Sequence, residues 1–465
     1  MRYERVAMLA VVETLAAWAV TCKSNDGPPP PPPAPTVDVG ADLRATTGQA
    51  VSLTARVAPP GANPNSYRWT MAWGDASVDS GDVGSGGLIT VSHTYAAAGQ
   101  YALSLTGRAS TGTTANDTAT AFVDVPGTTQ VLIGAGDIGE CDKVHSGNTA
   151  AVIDTIVGTV FTLGDNAYPN GQLTDFTRTD GPGCWANTWG RFKKRIHPTP
   201  GNHEYALRDS TGAGYFGYFG IAAGQGPIGN YSYDLGGWHI IVLNSAFLES
   251  QALGRFLSID RQLAWLSADL AAHPATCTLA MWHHPHFSSG PTHADGLHPD
   301  ETGPTKPFWD TLYAHGAELI LSGHEHNYER FAPQTPDGTA DLTNGIRQFV
   351  AGTGGGGYDT LATTPTANSE VSTTEHGLLK LTLTPGAYQW QFIPTSGPLG
   401  ETDPSTFTFT DSGSGSCHWP VPRTKPPRPR RSAAPRPCGP RPRAPKAGWR
   451  ACARRRRTSA MTGTL

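Results

Sequence analysis

The chain has 465 residues, of which 38% are hydrophobic and only 15% charged, with 55 glycines and 39 prolines. This composition excludes a coiled coil, a helical bundle and a polytopic membrane protein, and it favours β-rich or mixed folds with many turns. The formal net charge of −4 combines +14 from Cys417 onward with −18 in the rest of the chain, and this acidic body argues against nucleic acid as a partner.

Residues 1–22 have the pattern of an export signal. Arg2 and Arg5 precede an apolar run that ends at Cys22, and the run is too short for a good membrane span. The residues before Cys22 resemble a bacterial lipoprotein cleavage box, so we expect export to the periplasm, cell surface or medium, with Cys22 as a candidate lipid anchor. A misread start codon or a buried N-terminal helix is the alternative. Residues 23–35 contain an almost unbroken proline run and are predicted to be a stiff polyproline II linker.

Residues 36–126 are predicted to form a small β-sandwich. Short segments of strand composition, separated by Gly, Asn and Asp, cover residues 51–57, 67–73, 89–93, 101–106 and 119–125. Trp73-Gly74-Asp75, His93-Thr94-Tyr95, Gly99 and Tyr101 resemble the motifs of the PKD (polycystic kidney disease) domain. The resemblance implies an all-β, Ig-like spacer or adhesion module that contacts a cell surface or polysaccharide. Asp75 is expected to be a turn residue rather than a ligand.

From Gln130 onward, apolar runs of strand length repeatedly end in short loops rich in Asp, Asn or His. Segments that read as helices lie between them, including 258–270, for which Ser258 is the predicted N-cap. This alternation predicts an α/β domain over residues 128–412, with ligands collecting at the strand ends. The five loops are Gly136-Asp137-Ile138-Gly139, Gly164-Asp165-Asn166-Ala167-Tyr168, Gly201-Asn202-His203-Glu204, His283-His284-Pro285-His286 and Gly323-His324-Glu325-His326.

These loops supply hard oxygen donors and imidazole nitrogens. Two aspartates, an asparagine and three histidines are a natural set for two divalent or trivalent cations, and a carboxylate can bridge two metals. Two metals about 3.5–4 Å apart can hold phosphate oxygens and acidify a bridging water for phosphoester hydrolysis. Any one loop is weak evidence, because Gly-Asp is a common turn and a lone histidine near a strand end is usually structural. The prediction therefore depends on all five loops in this order.

The order of the loops resembles the metallophosphoesterases, the calcineurin-like family, and within it the purple acid phosphatases. The resemblance covers residues 131–395, and Tyr168 stands where purple acid phosphatases carry an iron-binding tyrosine. It implies an α/β (α+β) metallophosphoesterase sandwich of two mixed sheets flanked by helices. It also implies an Fe(III) site formed by Asp137, Asp165, Tyr168 and His326, and a Zn, Fe(II) or Mn site formed by Asp165, Asn202, His283 and His324, with Asp165 as the bridge.

The same resemblance gives catalytic roles to two histidines. His203 is expected to bind the phosphoryl group or assist proton transfer, a task that suits imidazole. His293 lies where the family has its general-acid histidine region, but the family's two adjacent histidines are absent there and His298 competes for the role. His284 and His286 are expected to be structural or to face the substrate.

The predicted function is an exported binuclear metal hydrolase that cleaves phosphomonoesters, like an acid phosphatase, by attack of metal-bound hydroxide. One alternative is a phosphodiesterase or nucleotidase on the same core, because the sequence does not reveal the shape of the substrate pocket. A second is a surface adhesion protein with a relic hydrolase domain. A relic would be expected to have lost a ligand, and none of the seven positions is lost.

Four of the seven cysteines lie between the two terminal segments, an even number that predicts disulfides in an exported protein. Of the three connectivities, we predict Cys141 with Cys184 and Cys277 with Cys417, because the first pair would brace two loops near the metal site. Residues 419–465 are rich in Pro, Arg and Ala and are predicted to be disordered. A basic tail that binds anionic polymers or a shifted reading frame would explain them, and the abrupt change after His418 favours the second.

Overall fold

The computed structural model describes most of the chain between residues 31 and 418. The described ranges are 31–59, 61–125, 127–205, 211–246, 259–273, 277–290, 305–357, 359–361, 363–396 and 407–418. The export segment, the first part of the proline-rich linker and the Arg/Pro tail lie outside these ranges, and the predictions made for them stay predictions. No helix within them is both long and apolar enough to cross a membrane.

The N-terminal part is a β-sandwich. Its strands are β1 Leu43–Thr46, β2 Ala50–Arg56, β3 Tyr67–Ala72, β4 Val78–Asp82, β5 Leu88–Thr94, β6 Gly99–Ala109 and β7 Thr114–Asp124, with short 3₁₀ helices at Pro64–Ser66 and Ser85–Gly87. A sheet in the order β1-β7-β6-β3-β4 is accompanied by the pair β2-β5. Alternation predicts β2 correctly, since its Leu53 and Ala55 are buried. Strand β4 was not predicted, because none of its residues is fully buried and its sequence does not alternate.

The Trp-Gly-Asp turn stabilises the sandwich. The indole of Trp73 stacks on the ring of His93 at 4.7 Å, and the Nε2 atom of His93 lies 2.8 Å from Oδ2 of Asp75. Asp75 also accepts a hydrogen bond from the backbone N–H of Ser77, and the hydroxyl of Tyr95 donates to the carbonyl of Trp73. The position of Asp75 agrees with its prediction as a turn residue.

The larger part contains two mixed sheets. Its elements are β8 Gln130–Ala135, α1 His145–Thr155, β9 Thr159–Thr162, α2 Leu173–Thr177, β10 Ile196–His197, α3 Ala213–Phe219, β11 Tyr231–Leu235, β12 Trp238–Val242, α4 Ile259–Ala272, β13 Cys277–Met281, α5 Lys306–His315, β14 Leu319–Ser322, β15 Tyr328–Phe331, β16 Arg347–Ala351, β17 Ser369–Thr373, β18 Gly377–Thr384, β19 Ala387–Pro394 and β20 Asp411–Ser416. Short 3₁₀ helices cover Trp185–Asn187, Trp189–Arg195, His203–Tyr205 and Gly220–Ala223. The sheet orders are β10-β9-β8-β18-β19-β20 and β11-β12-β13-β14-β16-β15-β17.

The two sheets pack face to face over the main hydrophobic core. Leu132 and Leu381 of one sheet share this core with Leu279 and Leu321 of the other. Helix α1 packs on the outer face of the first sheet, and α4 and α5 pack on the outer face of the second. Strands β8, β9 and β10 are parallel to one another, as are β12, β13, β14 and β16. The polar loops therefore follow parallel strands, as the sequence predicts.

The described part of helix α4, Ile259–Ala272, lies on the predicted helical segment and buries Leu266 and Leu270. The predicted N-cap, Ser258, lies outside the described residues.

The β-sandwich contacts the larger domain directly, in addition to the covalent link between them. The backbone N–H of Asp42 donates to the carbonyl of Lys194 at 2.7 Å, and the Lys194 ammonium lies 3.1 Å from Oδ2 of Asp117. The backbone N–H of Ile221 donates to Oδ2 of Asp38 at 2.8 Å. These contacts make the sandwich part of one packed structure, beyond the spacer role expected from its sequence.

Both predicted disulfides are confirmed. Cys141 bonds to Cys184, which links the loop after β8 to the segment before the 3₁₀ helix Trp185–Asn187. Cys277 bonds to Cys417 across 140 residues of sequence, and it joins the first residue of β13 to the residue after β20. The second bond therefore connects the two sheets of the larger domain.

Replacing Cys277 and Cys417 together by serine should lower the thermal midpoint of unfolding by roughly 4–10 °C. The reason is that a bond closing so long a loop restricts the unfolded chain, and its loss typically costs about 2–4 kcal/mol. Calorimetry on the oxidised protein measures the shift. A matched control replaces Cys438 and Cys452, which belong to no predicted pair, and should leave the midpoint unchanged. Equal midpoints for both double variants would contradict a stabilising role of the bond.

Candidate metal centre

The ends of parallel strands place the candidate ligands in space. Asp137 lies two residues after β8, Asp165 three after β9, His283 two after β13 and His324 two after β14. Asp137, Asp165 and His324 have positive φ angles of 59°, 48° and 72°. Such backbone conformations are uncommon for residues other than glycine, and they cluster at functional sites. The strained turns thus coincide with the predicted ligands.

The hydroxyl of Tyr168 contacts the other three side chains of the first predicted ligand set. Its oxygen lies 3.2 Å from Oδ1 of Asp137, 3.3 Å from Oδ2 of Asp165 and 3.0 Å from Nε2 of His326. The His326 nitrogen is itself 3.3 Å from Oδ1 of Asp137. The structure therefore brings all four side chains of this set together.

His283 connects the second predicted set. Its Nε2 atom lies 2.8 Å from Oδ1 of Asn202 and 3.4 Å from Oδ2 of Asp165. The ring of His324 has its centroid 5.1 Å from that of His283, and donor atoms of these two and His284 all lie within 4.8 Å of one another. Asp165 touches Tyr168 in one set and His283 in the other, which is the position that a bridging carboxylate needs.

His203 lies at the rim of this cluster. Its side chain is 35% exposed, and its Nε2 atom is 3.8 Å from Oδ2 of Asp165. Its Nδ1 atom lies 2.6 Å from the carbonyl of Pro169, and because that oxygen can only accept, Nδ1 carries the proton. The Nε2 atom is thus directed toward the cluster. His293 and His298 lie outside the described residues, so the general-acid assignment stays a prediction.

His284 and His286 both have structural partners. The Nδ1 atom of His284 lies 2.8 Å from the hydroxyl of Ser245, whose oxygen also accepts the backbone N–H of His284. The Nε2 atom of His286 lies 3.0 Å from the carbonyl of Pro336. These contacts agree with the expectation that both histidines are structural, although His284 also lies beside His324, with ring centroids 4.4 Å apart.

The electrostatics show that this cluster suits cations. The side chains of Asp137 and Asp165 are almost fully buried, and neither has a lysine or arginine ion pair among the described residues. Burial opposes ionisation of Asp165, but His283 and His203 outweigh it and lower its pKa. Burial likewise opposes protonation of His283, but the two carboxylates raise its pKa to about 10. Burial and the same carboxylates raise the pKa of Tyr168 well above its usual value, and a bound cation would reverse that shift.

Glu204 connects the second and third of the five loops by hydrogen bonds, a role that the sequence did not reveal. Its buried carboxylate accepts hydrogen bonds from the backbone N–H groups of Asp165 at 3.0 Å, Asn166 at 2.8 Å and Gly201 at 2.7 Å. Burial and the charge of Asp165 raise the pKa of Glu204 to about 7. The only available signal was its place in the third loop, directly after two polar site residues.

The orientation of His283 depends on its neighbours. Its Nδ1 atom lies 2.6 Å from the carbonyl of Leu163, which can only accept, so Nδ1 donates and the Nε2 edge of the ring is directed toward the cluster. Gly164 has a φ of 91°, and a Cβ atom there would lie 2.4 Å from that Nδ1 atom. Glycine is therefore required for the close approach of this loop to the imidazole ring.

The sequence analysis also gave no role to the glycine-rich segment at residues 352–357, which follows β16. The backbone N–H of Gly354 donates to the carbonyl of Gly136, and that of Gly356 donates to the carbonyl of Asp137, both at 2.8 Å. A Cβ atom on Gly352 would lie 2.7 Å from Oδ2 of Asp137. The segment packs behind this ligand, and its run of glycines was the available sequence signal.

Comparison with known proteins gives two family matches. Residues 32–125 match the PKD domain, and residues 133–328 match the calcineurin-like phosphoesterases. The chain is 27% identical over 202 residues to purple acid phosphatase 15 of Arabidopsis thaliana, a match covering 37% of this chain and 35% of that protein. It is 31% identical over 170 residues to acid phosphatase type 7 of Homo sapiens, covering 32% of this chain and 37% of that protein. The chain thus spans about a third of the length of these relatives.

Solved structures confirm the predicted fold class. The purple acid phosphatase PPD1 from yellow lupin (Lupinus luteus) seeds superposes with a TM-score of 0.54 at 18% identity, covering 83% of this chain and 75% of that one. PhoD superposes with a TM-score of 0.50 at 12% identity, covering 81% and 88%. Residues 133–328 are thus similar to the calcineurin-like phosphoesterases and residues 32–125 to the PKD domain, and the fold is like that of a purple acid phosphatase.

Proposed function

We propose that this protein is an exported, binuclear metal-dependent phosphoesterase that hydrolyses phosphomonoesters. The observation that carries the proposal is the convergence of all seven candidate ligands at one edge of the two packed sheets of the larger domain, with Asp165 between the two sets. The similarity to acid phosphatases supports the choice of phosphomonoesters as substrates. The same core would also serve a phosphodiesterase or nucleotidase, which is the second candidate.

The donor set fits two cations of different character. Asp137, Tyr168 and His326 with Asp165 would hold a trivalent ion, because carboxylate and phenolate are hard anionic ligands. Asp165, Asn202, His283 and His324 would hold a divalent ion such as Zn, Fe(II) or Mn. Two such cations polarise phosphoryl oxygens and lower the pKa of water when they are bound.

Among the residues that the structure describes, His203 is the one best placed to act on the substrate. Its exposed edge faces the cluster, while Nδ1 donates to the carbonyl of Pro169 and fixes the ring. Without bound cations, burial lowers the pKa of His203 and Asp165 raises it, and the net shift is upward. A protonated Nε2 atom can donate to a phosphoryl oxygen or pass its proton to a leaving group.

The central test measures hydrolysis of a phosphomonoester and a phosphodiester of p-nitrophenol by the metal-loaded protein. We expect faster turnover of the monoester. Asp165→Asn should reduce kcat by at least about 100-fold and lower the metal content, because it removes the charge proposed to bridge both ions. Asp154→Asn is the control, since this carboxylate pairs with Arg191 at the surface, and it should retain activity.

Three outcomes would count against the proposal. A faster diester reaction would favour the second candidate function. A protein that binds two metals but hydrolyses neither ester would favour the relic hydrolase domain. Near-normal turnover of Asp165→Asn with full metal content would exclude the bridging role.

The proposal of Fe(III) in the first site has a spectroscopic test. A phenolate bound to Fe(III) gives the oxidised protein a purple or pink colour, and Tyr168→Phe should remove the colour while it keeps the ring. Tyr313→Phe is a matched control, because the hydroxyl of Tyr313 also donates to a carboxylate, that of Asp341, at 2.7 Å. That control should remain coloured. A colourless, iron-free and fully active wild type would show that the site holds other metals.

Export and lipidation of Cys22 are proposed from the sequence of residues 1–22. The full-length chain, expressed in a bacterial host, should be recovered outside the cytoplasm and should incorporate labelled palmitate. Cys22→Ser should abolish the label without preventing export, because the apolar run is retained. Accumulation of the wild type in the cytoplasm would contradict export, and export without label would leave an unlipidated secreted protein.

A further inference from the structure

The segment that follows strand β12 lies beside the candidate metal centre, although none of the seven predicted ligands belongs to it. Val242, the last residue of β12, pairs with Met281, the last residue of β13. The backbone N–H of Leu243 also donates to the carbonyl of Met281 at 2.9 Å. Asn244 therefore follows β12 by the same two residues by which the ligand His283 follows β13. Because the two strands are parallel neighbours, this segment reaches the edge of the sheet where the ligand loops lie.

The buried side chain of Asn244 bonds through both of its amide hydrogens and its oxygen. Its Nδ2 atom donates to the hydroxyl of Tyr205 and to the carbonyl of Ile228, both at 2.7 Å, and its Oδ1 atom accepts the backbone N–H of Ala246 at 2.8 Å. The carbonyl of Ile228 can only accept and the N–H of Ala246 can only donate, so the amide has one possible orientation. An aspartate of the same shape would lack both donors.

Tyr205 connects Asn244 to the third loop, residues 201–204. It is the last residue of the short 3₁₀ helix His203–Tyr205, and its backbone N–H donates to the carbonyl of the candidate ligand Asn202 at 3.0 Å. Its hydroxyl donates to the carbonyl of Pro227 at 2.8 Å and accepts the Nδ2 hydrogen of Asn244. The tip of the tyrosine is thus fixed at the end of β12, while its backbone is bonded to the ligand residue.

Helix α4 fixes the backbone of Asn244. Gln262 of this helix is fully buried, its Oε1 atom accepts the backbone N–H of Asn244 at 2.9 Å, and its Nε2 atom donates to the carbonyl of Asn244 at 2.8 Å. The side chain of Gln262 thus bonds both backbone groups of one residue, as an antiparallel partner strand would. Since this contact involves no candidate ligand, the position of Asn244 is set by the helix rather than by the metal centre.

The next residue, Ser245, contacts the fourth loop, residues 283–286. Its hydroxyl oxygen accepts the backbone N–H of His284 at 2.9 Å, and the Nδ1 atom of His284 lies 2.8 Å from the same oxygen. His284 directly follows His283, whose Nε2 atom lies 2.8 Å from Oδ1 of Asn202. Two adjacent residues after β12 therefore reach the two loops whose candidate ligands contact each other.

We propose that Asn244 and Ser245 position the ligands of the second metal site without binding the metal or the substrate themselves. Asn244 acts through Tyr205 on the third loop, and Ser245 acts through His284 on the fourth loop. The segment after β12 is therefore a sixth loop of the centre, beside the five that supply ligands. The effect of this role on turnover rests on the proposed phosphoesterase function, whereas its effect on metal binding does not.

The test measures zinc affinity of the full-length protein. Metal-free protein is titrated with Zn²⁺ in competition with a chelator. Tyr205→Phe, which removes the hydroxyl and keeps the ring, should bind one zinc equivalent about 10-fold more weakly than the wild type and the other with unchanged affinity. Its kcat for a phosphomonoester at saturating zinc should also fall about 10-fold. Tyr67→Phe is the matched control, because the buried hydroxyl of Tyr67 also donates to a proline carbonyl, that of Pro33, but in the β-sandwich. It should behave as the wild type.

Asn244→Ala and Ser245→Ala should weaken the same zinc equivalent. The double variant of Tyr205→Phe with Asn244→Ala should be no weaker than the weaker single variant, because both changes remove one connection. Wild-type zinc affinity in Tyr205→Phe and in Ser245→Ala would overturn the proposal, even if their thermal midpoints fell, since the contacts would then be structural only. A wild type that binds zinc and hydrolyses no ester would contradict the proposed function instead, while the loss of zinc affinity in these variants would still support the positioning role.

Discussion

Burial of two carboxylates at one point is the constraint on which the rest of the larger domain depends. Asp137 and Asp165 lie in the interior, where an unpaired charge costs several kcal/mol. Their partners in the described chain include histidines, a phenol and backbone N–H groups, and the histidines and the phenol are also suitable metal ligands. The parallel strands, the left-handed turns and the glycines without side chains all allow these oxygens to meet in a place that water reaches poorly.

The parts that the sequence predicted have local causes. Alternating apolar residues in 51–57 are enough to define β2, and an apolar run followed by Gly-Asp is enough to place Asp165 at a strand end. Because parallel strands deliver their ends to one edge, five such loops imply a common site even though their order in the sheets is unknown. The disulfide pairing followed from the same idea, since Cys141 and Cys184 flank these loops.

The parts that the sequence did not predict depend on contacts between distant residues. Glu204 acts through backbone N–H groups 38 and 39 positions earlier, and no local pattern marks that relation. The glycines of 352–357 support Asp137 from more than two hundred residues away. The exposed strand β4 has no hydrophobic pattern, because its hydrogen bonds to β3 rather than burial define it. Propensity and periodicity carry no information of these kinds.

The contact between the β-sandwich and the larger domain has a mechanical consequence. Asp38 accepts a hydrogen bond from the backbone N–H of Ile221, and Asp117 pairs with the side chain of Lys194. The β-sandwich therefore contacts the larger domain on both sides of residues 201–204. A force on the chain before residue 38 would act on Asp38, which is hydrogen-bonded both to Arg56 within the β-sandwich and to Ile221 of the larger domain. The β-sandwich would thus transmit a force at its N-terminal end to the segment between Lys194 and Ile221, which carries Asn202 and His203.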